Sequence, residues 1–123
     1  MKEILITAGA TRNPIDQMRF ISASSSGRTG VRITASLLRS GQAKICFLGS
    51  PEAILRLRLE IDEKNCNIEI AEFTDTQDLQ KQMHRWCTNI DNGIVIHAAA
   101  VGDYEARKLD GKIPSGQEVI SIE

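Results

Sequence analysis

The stretch ILITAGA, residues 4–10, indicates the fold class. Its first part, Ile4–Thr7, is a short and mainly apolar run, and the small residues after it open a loop. A short apolar run that ends in small residues is typical of a buried parallel strand that delivers a loop to the carboxyl edge of a sheet. We therefore expect a first strand near 3–7, followed by a loop of functional interest.

Strands and helices alternate along the rest of the chain. Apolar runs predict further strands near 43–48, 67–72, 93–98 and 118–122. Helical periodicity predicts helices near 27–40, 51–61 and 76–89. This alternation predicts an α/β, Rossmann-like, three-layer fold with a mainly parallel sheet and helices on both faces. The strand at 93–98 is the most apolar one, so we expect it to be central.

Short polar signals mark the helix ends. Ser50 and Pro51 fit the N-cap and the first position of one helix, and Gly41 fits the end of the helix before it. Thr74 with Gln77 forms a capping-box pattern, which predicts that the third helix begins after Thr74.

Size and charge exclude several classes of protein. The chain has 123 residues, enough for one domain, and a net charge of −1, which offers no electrostatic basis for binding nucleic acid or an anionic membrane. No apolar stretch approaches the ~20 residues that a membrane helix needs. The first residues lack the features of a signal peptide, so we expect a cytoplasmic protein.

The cysteines and histidines indicate neither a disulfide framework nor a metal site. Cys46, Cys66 and Cys87 lie far apart, without a Cys-x-x-Cys pair or a histidine at ligand spacing, so we expect buried, reduced thiols. His97 lies within an apolar strand and is expected to be a hydrogen-bonded core residue rather than a catalytic base. We assign no metal ligands.

Two long loops, at 8–26 and 100–117, follow the carboxyl ends of predicted strands. Ligands of parallel α/β sheets bind beyond the carboxyl ends of the strands, so these loops form the candidate site. A connection of such length is usually functional.

The first loop ends in SSSGRTG, residues 24–30, where a helix begins. Free backbone N–H groups and the helix dipole suit this position to an anion, and Gly27 and Gly30 let a phosphate approach the backbone closely. Neither a Walker A loop nor the dinucleotide-binding glycine fingerprint is present. The alternative is a serine-capped helix after a tight turn.

The second loop begins with AAAVGDY, residues 98–104. Its small residues leave room for a flat ring beside the backbone. Asp103 can hold a metal or hydroxyl groups, and Lys112 can neutralise phosphate charge. The alternatives are a turn cap for Asp103 and a solvated loop lysine for Lys112.

Together these segments resemble a known family. Residues 6–30, ITAGATRNPIDQMRFISASSSGRTG, resemble the opening motif of phosphopantothenate–cysteine ligases. HAAAVGDY at 97–104, followed by GKIPS at 111–115, resembles their second motif. The resemblance covers essentially the whole chain but about the first half of a typical ligase domain. We therefore interpret residues 1–123 as a single ligase-like nucleotide-binding domain, truncated at its C-terminal side.

The resemblance implies a role for individual residues. The turn at 25–27 matches the stretch that cradles the nucleotide phosphates, and Ala99 and Ala100 match residues that line the base. Asp103 matches an aspartate of the nucleotide site and Lys112 a lysine near the triphosphate, and these two are the expected catalytic residues. The complete set assigned to the nucleotide is Ser25, Ser26, Gly27, Gly30, Ala99, Ala100, Asp103 and Lys112.

The resemblance also implies a reaction. In the family, the carboxylate of 4'-phosphopantothenate attacks CTP (ATP in some lineages) with Mg²⁺, pyrophosphate leaves, and the amine of cysteine then displaces the nucleotide. This is a step of coenzyme A biosynthesis. Family members are commonly homodimers, and some are fused to or work with a flavin-dependent phosphopantothenoylcysteine decarboxylase.

Four further motif positions are not assigned to catalysis: three are expected to brace the long loop, and one departs from the family. Arg12, Asp16 and Arg19 match motif positions that we expect to brace the long loop. Ala23 stands where the family usually has an asparagine associated with the acyl-nucleotide step, and its methyl group donates no hydrogen bond. Two interpretations therefore stay open: a ligase domain, and a ligase-like module that binds a nucleotide without ligating. A Rossmann-type NAD(P)-dependent reductase ranks last, because its glycine fingerprint is missing.

Overall fold

A parallel four-stranded sheet forms the centre of the structure, which is a computed structural model that describes residues 2–102 and 104. In chain order, the elements are β1 (Lys2–Ala8), β2 (Arg12–Pro14), β3 (Phe20–Ser22), α1 (Arg28–Ser40), β4 (Ala43–Gly49), α2 (Pro51–Glu60), a 3₁₀ turn (Glu63–Asn65), β5 (Ile68–Glu72), α3 (Thr76–Asn89) and β6 (Ile94–His97). The further strand predicted near 118–122 lies outside the described residues.

The strand order of the sheet is β5-β4-β1-β6. Ile4 of β1 lies opposite Ile45 of β4 on one side and Ile94 of β6 on the other, and all three pairings between neighbouring strands are parallel. The predicted parallel sheet is confirmed. All carboxyl ends therefore meet at one edge, where the loops after β1, β4 and β6 lie together.

Two apolar clusters cover the two faces of the sheet. Ile6 of β1 and Phe47 of β4, both buried, pack with α1 and α2 on one face. Leu5 and Leu48 point the other way and pack with Leu79 of α3. Alternate side chains of a strand point to opposite faces, so a strand that is covered on both faces carries mainly apolar residues. The expected three-layer arrangement is confirmed.

The prediction that the most apolar strand is central is wrong for the described part of the chain. There β6 lies at the edge of the sheet, and Ile94 and Val95 remain 41% and 40% exposed. The central strand is β1, in which Leu5 and Ile6 are 1% and 0% exposed. An apolar run indicates a buried strand, but it does not specify which strands pair with it.

The helix ends agree with the sequence except at α3. The Ser50 side chain accepts a hydrogen bond from the Ala53 N–H at the start of α2, and Gly41 ends α1 in the left-handed conformation. The prediction of Thr74 as N-cap is wrong, because the Asp75 carboxylate caps α3 by accepting from the Asp78 N–H at 2.7 Å. Within residues 2–102, no helix is long and apolar enough to cross a membrane.

The connection at 8–26 contains a short hairpin that the sequence did not predict. β2 and β3 pair antiparallel, with Arg12 opposite Ser22 and Pro14 opposite Phe20. The Asp16 carboxylate accepts from two backbone N–H groups in the turn between them. Strands of three residues that contain proline and polar groups lack the apolar alternation by which strands are recognised.

Two expectations about buried residues are wrong. Cys87 is exposed, and Cys46 and Cys66 are only partly buried. Burial and then the nearby Glu69 carboxylate raise the pKa of the Cys46 thiol, which keeps this group protonated near neutral pH. His97 is hydrogen-bonded as expected, through Nδ1 to the Thr7 hydroxyl at 2.5 Å, but it is exposed at the sheet edge rather than in the core.

Close packing brings the start of α1 against β1 and α2. A Cβ atom at Gly30 would lie 2.5 Å from the Cβ of Ala8, so the first turn of α1 touches the central strand directly. A Cβ atom at Gly27 would lie 2.4 Å from the Cβ of Ala53 in α2. Both distances are shorter than any real contact, so this packing requires glycine at each position.

We expect Gly27→Ala to destabilise the protein more than the control Gly41→Ala. Both glycines have positive φ, at 83° and 70°, and a side chain at either costs about 1–2 kcal/mol of strain. No atom lies within 4 Å of a Cβ at Gly41, whereas Gly27→Ala also collides with Ala53 and costs about 1–3 kcal/mol more. Denaturant unfolding measures both losses, and equal losses would contradict the packing described for Gly27.

Candidate nucleotide-binding site

A polar cleft of about 280 Å³ opens at the carboxyl edge of the sheet. Its walls come from the loop after β1, the hairpin, the serine run before α1 and the start of α2. The lining residues are Ala10, Arg12, Ser22, Ala23, Ser24, Ser25, Ser26, Ser50 and Glu52. Five of these nine are serines, so hydroxyl groups dominate the surface that a ligand would contact.

The start of α1 has donors suited to an anion. No side chain caps α1 within the described residues, so the alternative of a serine-capped helix is wrong. Ser25 instead accepts a hydrogen bond from the Gly27 N–H at 3.4 Å, which belongs to the turn before the helix. The N–H groups of the first helical turn carry the positive end of the dipole, and Ser25 and Ser26 are half-buried beside them.

Two opposite charges border the cleft. The Arg12 guanidinium lies 4.9 Å from the centre of the Phe20 ring, and this contact holds the exposed arginine across the hairpin. Glu52 lies in the first turn of α2, where its carboxylate is 3.7 Å from the guanidinium of Arg56. The lining of the cleft therefore includes one cationic side chain and one carboxylate.

The second sequence motif meets the first at Ala10. Ala10 lines the cleft and forms a parallel bridge with Ala100. The Ala100 N–H donates to the Gly9 carbonyl at 2.8 Å, and its carbonyl accepts from the Thr11 N–H at 3.1 Å. Ala10 thus lies between the serine turn, with which it lines the cleft, and the alanine loop, which follows it by about ninety residues in the sequence.

The residues assigned to the nucleotide do not all lie at the cleft. Ser25 and Ser26 line the cleft, and Ala99 and Ala100 are half-buried in the loop after β6. Gly27 and Gly30 are buried, and their missing side chains serve the packing of α1 as well as any approach of a phosphate. The two expected catalytic residues, Asp103 and Lys112, lie outside the described residues.

The bracing role expected for the hairpin residues is confirmed for Asp16. This carboxylate is 4% exposed, and its Oδ1 atom accepts from the N–H groups of Met18 and Arg19, both at 2.8 Å. It therefore stabilises the turn of the hairpin. Arg12 contacts Phe20 within the hairpin and also lines the cleft.

The loop after β4 contributes to the cleft, which was not predicted from the sequence. Ser50 and Glu52 line the cleft, although the sequence identified Ser50 only as a helix cap. The signal was available, because this loop also follows the carboxyl end of a parallel strand, where ligands bind. The connection is too short to stand out by length.

The chain matches the family described as the DNA/pantothenate metabolism flavoprotein C-terminal domain over residues 1–123. One relative is the coenzyme A biosynthesis bifunctional protein CoaBC of Thermococcus kodakarensis, which is 31% identical over 123 residues. The match covers 97% of this chain and 27% of that protein. The chain therefore spans about a quarter of the length of this curated relative.

Solved structures share the fold. The DNA/pantothenate metabolism flavoprotein from Streptococcus pneumoniae superimposes with a TM-score of 0.71 at 31% identity, covering 85% of this chain and 42% of that one. A Cab2 mutant in complex with phosphopantothenate-cysteine gives 0.76 at 17% identity, over 99% of this chain and 56% of that one, and supports the fold alone. With the family match over its whole length, this chain belongs to the DNA/pantothenate metabolism flavoprotein C-terminal domain family.

Proposed function

We propose that this chain is the nucleotide-handling part of a phosphopantothenate–cysteine ligase of coenzyme A biosynthesis. The observation that carries the proposal is the meeting of the two motifs at Ala10, which lines the polar cleft with the serine turn and forms a bridge with Ala100 of the second motif. CoaBC relatives, whose name assigns them to coenzyme A biosynthesis, support it. The activity, substrates and partners belong to the protein that contains this chain.

The proposed reaction has two balanced steps. A carboxylate oxygen of 4'-phosphopantothenate attacks the α-phosphorus of CTP or ATP, and the bond to the pyrophosphate leaving group breaks. The amine of cysteine then attacks the acyl carbon, loses a proton, and displaces the nucleoside monophosphate to form the amide. Both steps need oriented reactants and neutralised phosphate charge.

The residues of this chain suit the first step. The N–H groups at the start of α1 and the Ser25 and Ser26 hydroxyls can donate to phosphate oxygens, and Ala99 and Ala100 leave space for the base. We assign Lys112 to neutralising charge on the triphosphate and Asp103 to binding within the nucleotide site. These two assignments come from the resemblance of the second motif.

The described residues fit Mg²⁺ as a companion of the nucleotide. They contain no group of three histidine, cysteine, aspartate or glutamate side chains able to hold a metal. One carboxylate, Glu52, lines the cleft. Mg²⁺ at nucleotide sites takes one or two carboxylates and completes its shell with phosphates and water, so this donor set suffices. When bound, Mg²⁺ would supply charge neutralisation at the phosphates.

The proposal also covers the localisation, oligomeric state, substrates and partner activity of the protein. We propose a cytoplasmic homodimer whose small-molecule substrates are 4'-phosphopantothenate, cysteine and a nucleoside triphosphate, with no role in binding nucleic acid. The relatives are named as bifunctional proteins. We propose that the second activity is a flavin-dependent decarboxylase, fused to this chain or acting beside it.

We expect Ser26→Ala in the full-length protein to weaken the binding of CTP or ATP at least about tenfold. A hydrogen bond to a charged phosphate contributes about 1.5–3 kcal/mol, and alanine removes the donor. Ser26 is preferred to Ser25, which also holds the Gly27 N–H. Calorimetric titration measures the affinity, with Ser36→Ala on the exposed face of α1 as control. Parent-like affinity of Ser26→Ala would remove this serine from the site.

Ala23 favours a second candidate function, a module that binds the nucleotide without ligating. It lines the cleft, half-buried, and so places a methyl group where the family usually has an amide. A donor in such a site contributes about 2.7–4 kcal/mol to transition-state stabilisation in the steepest cases. A ligase with Ala23 must use another donor, and Ser22 and Ser24 lie beside it in the same wall.

The effect of Ala23→Asn distinguishes the two candidates. If the full-length protein is a ligase, it forms phosphopantothenoylcysteine, and Ala23→Asn changes its rate little because another donor already acts. If it is a binding module, it binds the nucleotide without product, and Ala23→Asn restores some turnover. Product formation and pyrophosphate release are followed in parallel. Absence of both product and nucleotide binding in the parent protein would contradict both candidates.

A further inference from the structure

The side chains of Thr7, Thr11 and Asn13 hold the loop that follows β6. The Thr7 hydroxyl oxygen accepts from the Ala99 N–H at 3.1 Å, and the Thr11 hydroxyl oxygen accepts from the Gly102 N–H at 2.9 Å. The Asn13 amide donates to the backbone carbonyl of Tyr104 at 3.1 Å. These three side chains come from the end of β1 and the segment that follows it, and all of them bond backbone groups between Ala99 and Tyr104.

The side chains act where regular strand pairing ends. The carbonyl of Thr7 accepts from the Ala98 N–H at 3.2 Å, while its hydroxyl takes the next N–H, that of Ala99. Thr7 therefore binds the first two N–H groups after β6, one through its carbonyl and one through its hydroxyl. The path of the loop beyond β6 therefore depends on the Thr7 hydroxyl as well as on the backbone.

Burial makes these contacts costly to lose. Thr7 and Thr11 are 0% exposed and Asn13 is 2% exposed, so water cannot readily replace their oxygens as acceptors. Removing one partner of a buried pair leaves the other unsatisfied. Asn13 also accepts from the Thr76 N–H at 2.9 Å, which ties the segment to the start of α3. The Thr7 hydroxyl additionally contacts His97 Nδ1 at 2.5 Å.

We propose that Thr7 and Thr11 are positioning residues that set the placement of the Ala99–Gly102 loop for the nucleotide. They line no wall of the cleft, and they act through the loop that Ala100 joins to Ala10. This inference rests on the proposed nucleotide site. It assigns to two buried threonines, neither of which lines the cleft, a role in nucleotide affinity.

The test uses isosteric substitutions in the full-length protein. Thr11→Val keeps the shape and removes the acceptor of the Gly102 N–H, and Thr11→Ser restores it. Thr34→Val is the matched control, since Thr34 is also 0% exposed but its hydroxyl donates to the Gly30 carbonyl within α1. The measurements are the dissociation constant for CTP and ATP, the exchange rate of the Gly102 amide, and the melting temperature.

We expect Thr11→Val to weaken nucleotide binding about tenfold and to speed exchange of the Gly102 amide, because the loop loses a buried anchor. Thr11→Ser should bind within about threefold of the parent, and Thr34→Val should lower the melting temperature without this loss of affinity. If Thr11→Val does not fold, Thr7→Val is titrated in the same way and must show the same loss of affinity.

The outcomes separate this inference from the proposed function. If the parent protein binds neither CTP nor ATP, the proposed function fails. If the parent binds and the folded Thr11→Val or Thr7→Val protein binds equally well, the positioning role is overturned and the threonines only stabilise the fold. A loss of affinity as large in Thr34→Val would overturn it as well, because any buried hydroxyl would then have the same effect.

Discussion

The central strand β1 is the constraint on which the rest of the structure depends. It pairs with β4 on one side and β6 on the other, and its apolar side chains face both helical layers. Its carboxyl end therefore delivers the next residues into the middle of the sheet edge. A loop that leaves a central strand meets the loops of both neighbours, and this is why one short segment, from Thr7 to Asn13, organises the cleft and the loop after β6.

Small residues allow the elements around the candidate site to pack closely. Gly30 lets α1 touch Ala8 of β1, and Gly27 lets the turn before α1 touch Ala53 of α2. The starts of both helices therefore approach the same edge, and the serine run lines the space between them. The glycines that a sequence motif associates with phosphate binding are buried packing positions here. The packing alone already excludes larger side chains at both positions.

The site joins two distant parts of the chain by different kinds of contact. The serine turn belongs to the cleft by direct lining, whereas the Ala99–Gly102 loop is held by hydrogen bonds from buried side chains and backbone. Ala23 lies between the hairpin and the serine turn and lines the cleft. The resemblance to the ligase family implies an asparagine side chain at this position. At this position a methyl group therefore stands in the candidate site in place of the donor that the resemblance implies for the acyl-nucleotide step.

The sequence by itself determined the order of the four sheet strands and the three α-helices, the parallel sheet, the cap of α2 at Ser50 and the family. Apolar periodicity and local motifs are encoded within short segments, whereas the short hairpin carries no such pattern. Only the tertiary structure decided that β1 rather than β6 is central in the described part of the chain, that Ser50 and Glu52 line the cleft, and that Thr7 and Thr11 hold the loop after β6. The physical reason is that neighbours in a sheet and partners of buried polar groups come from distant segments, and no local pattern specifies which segments meet.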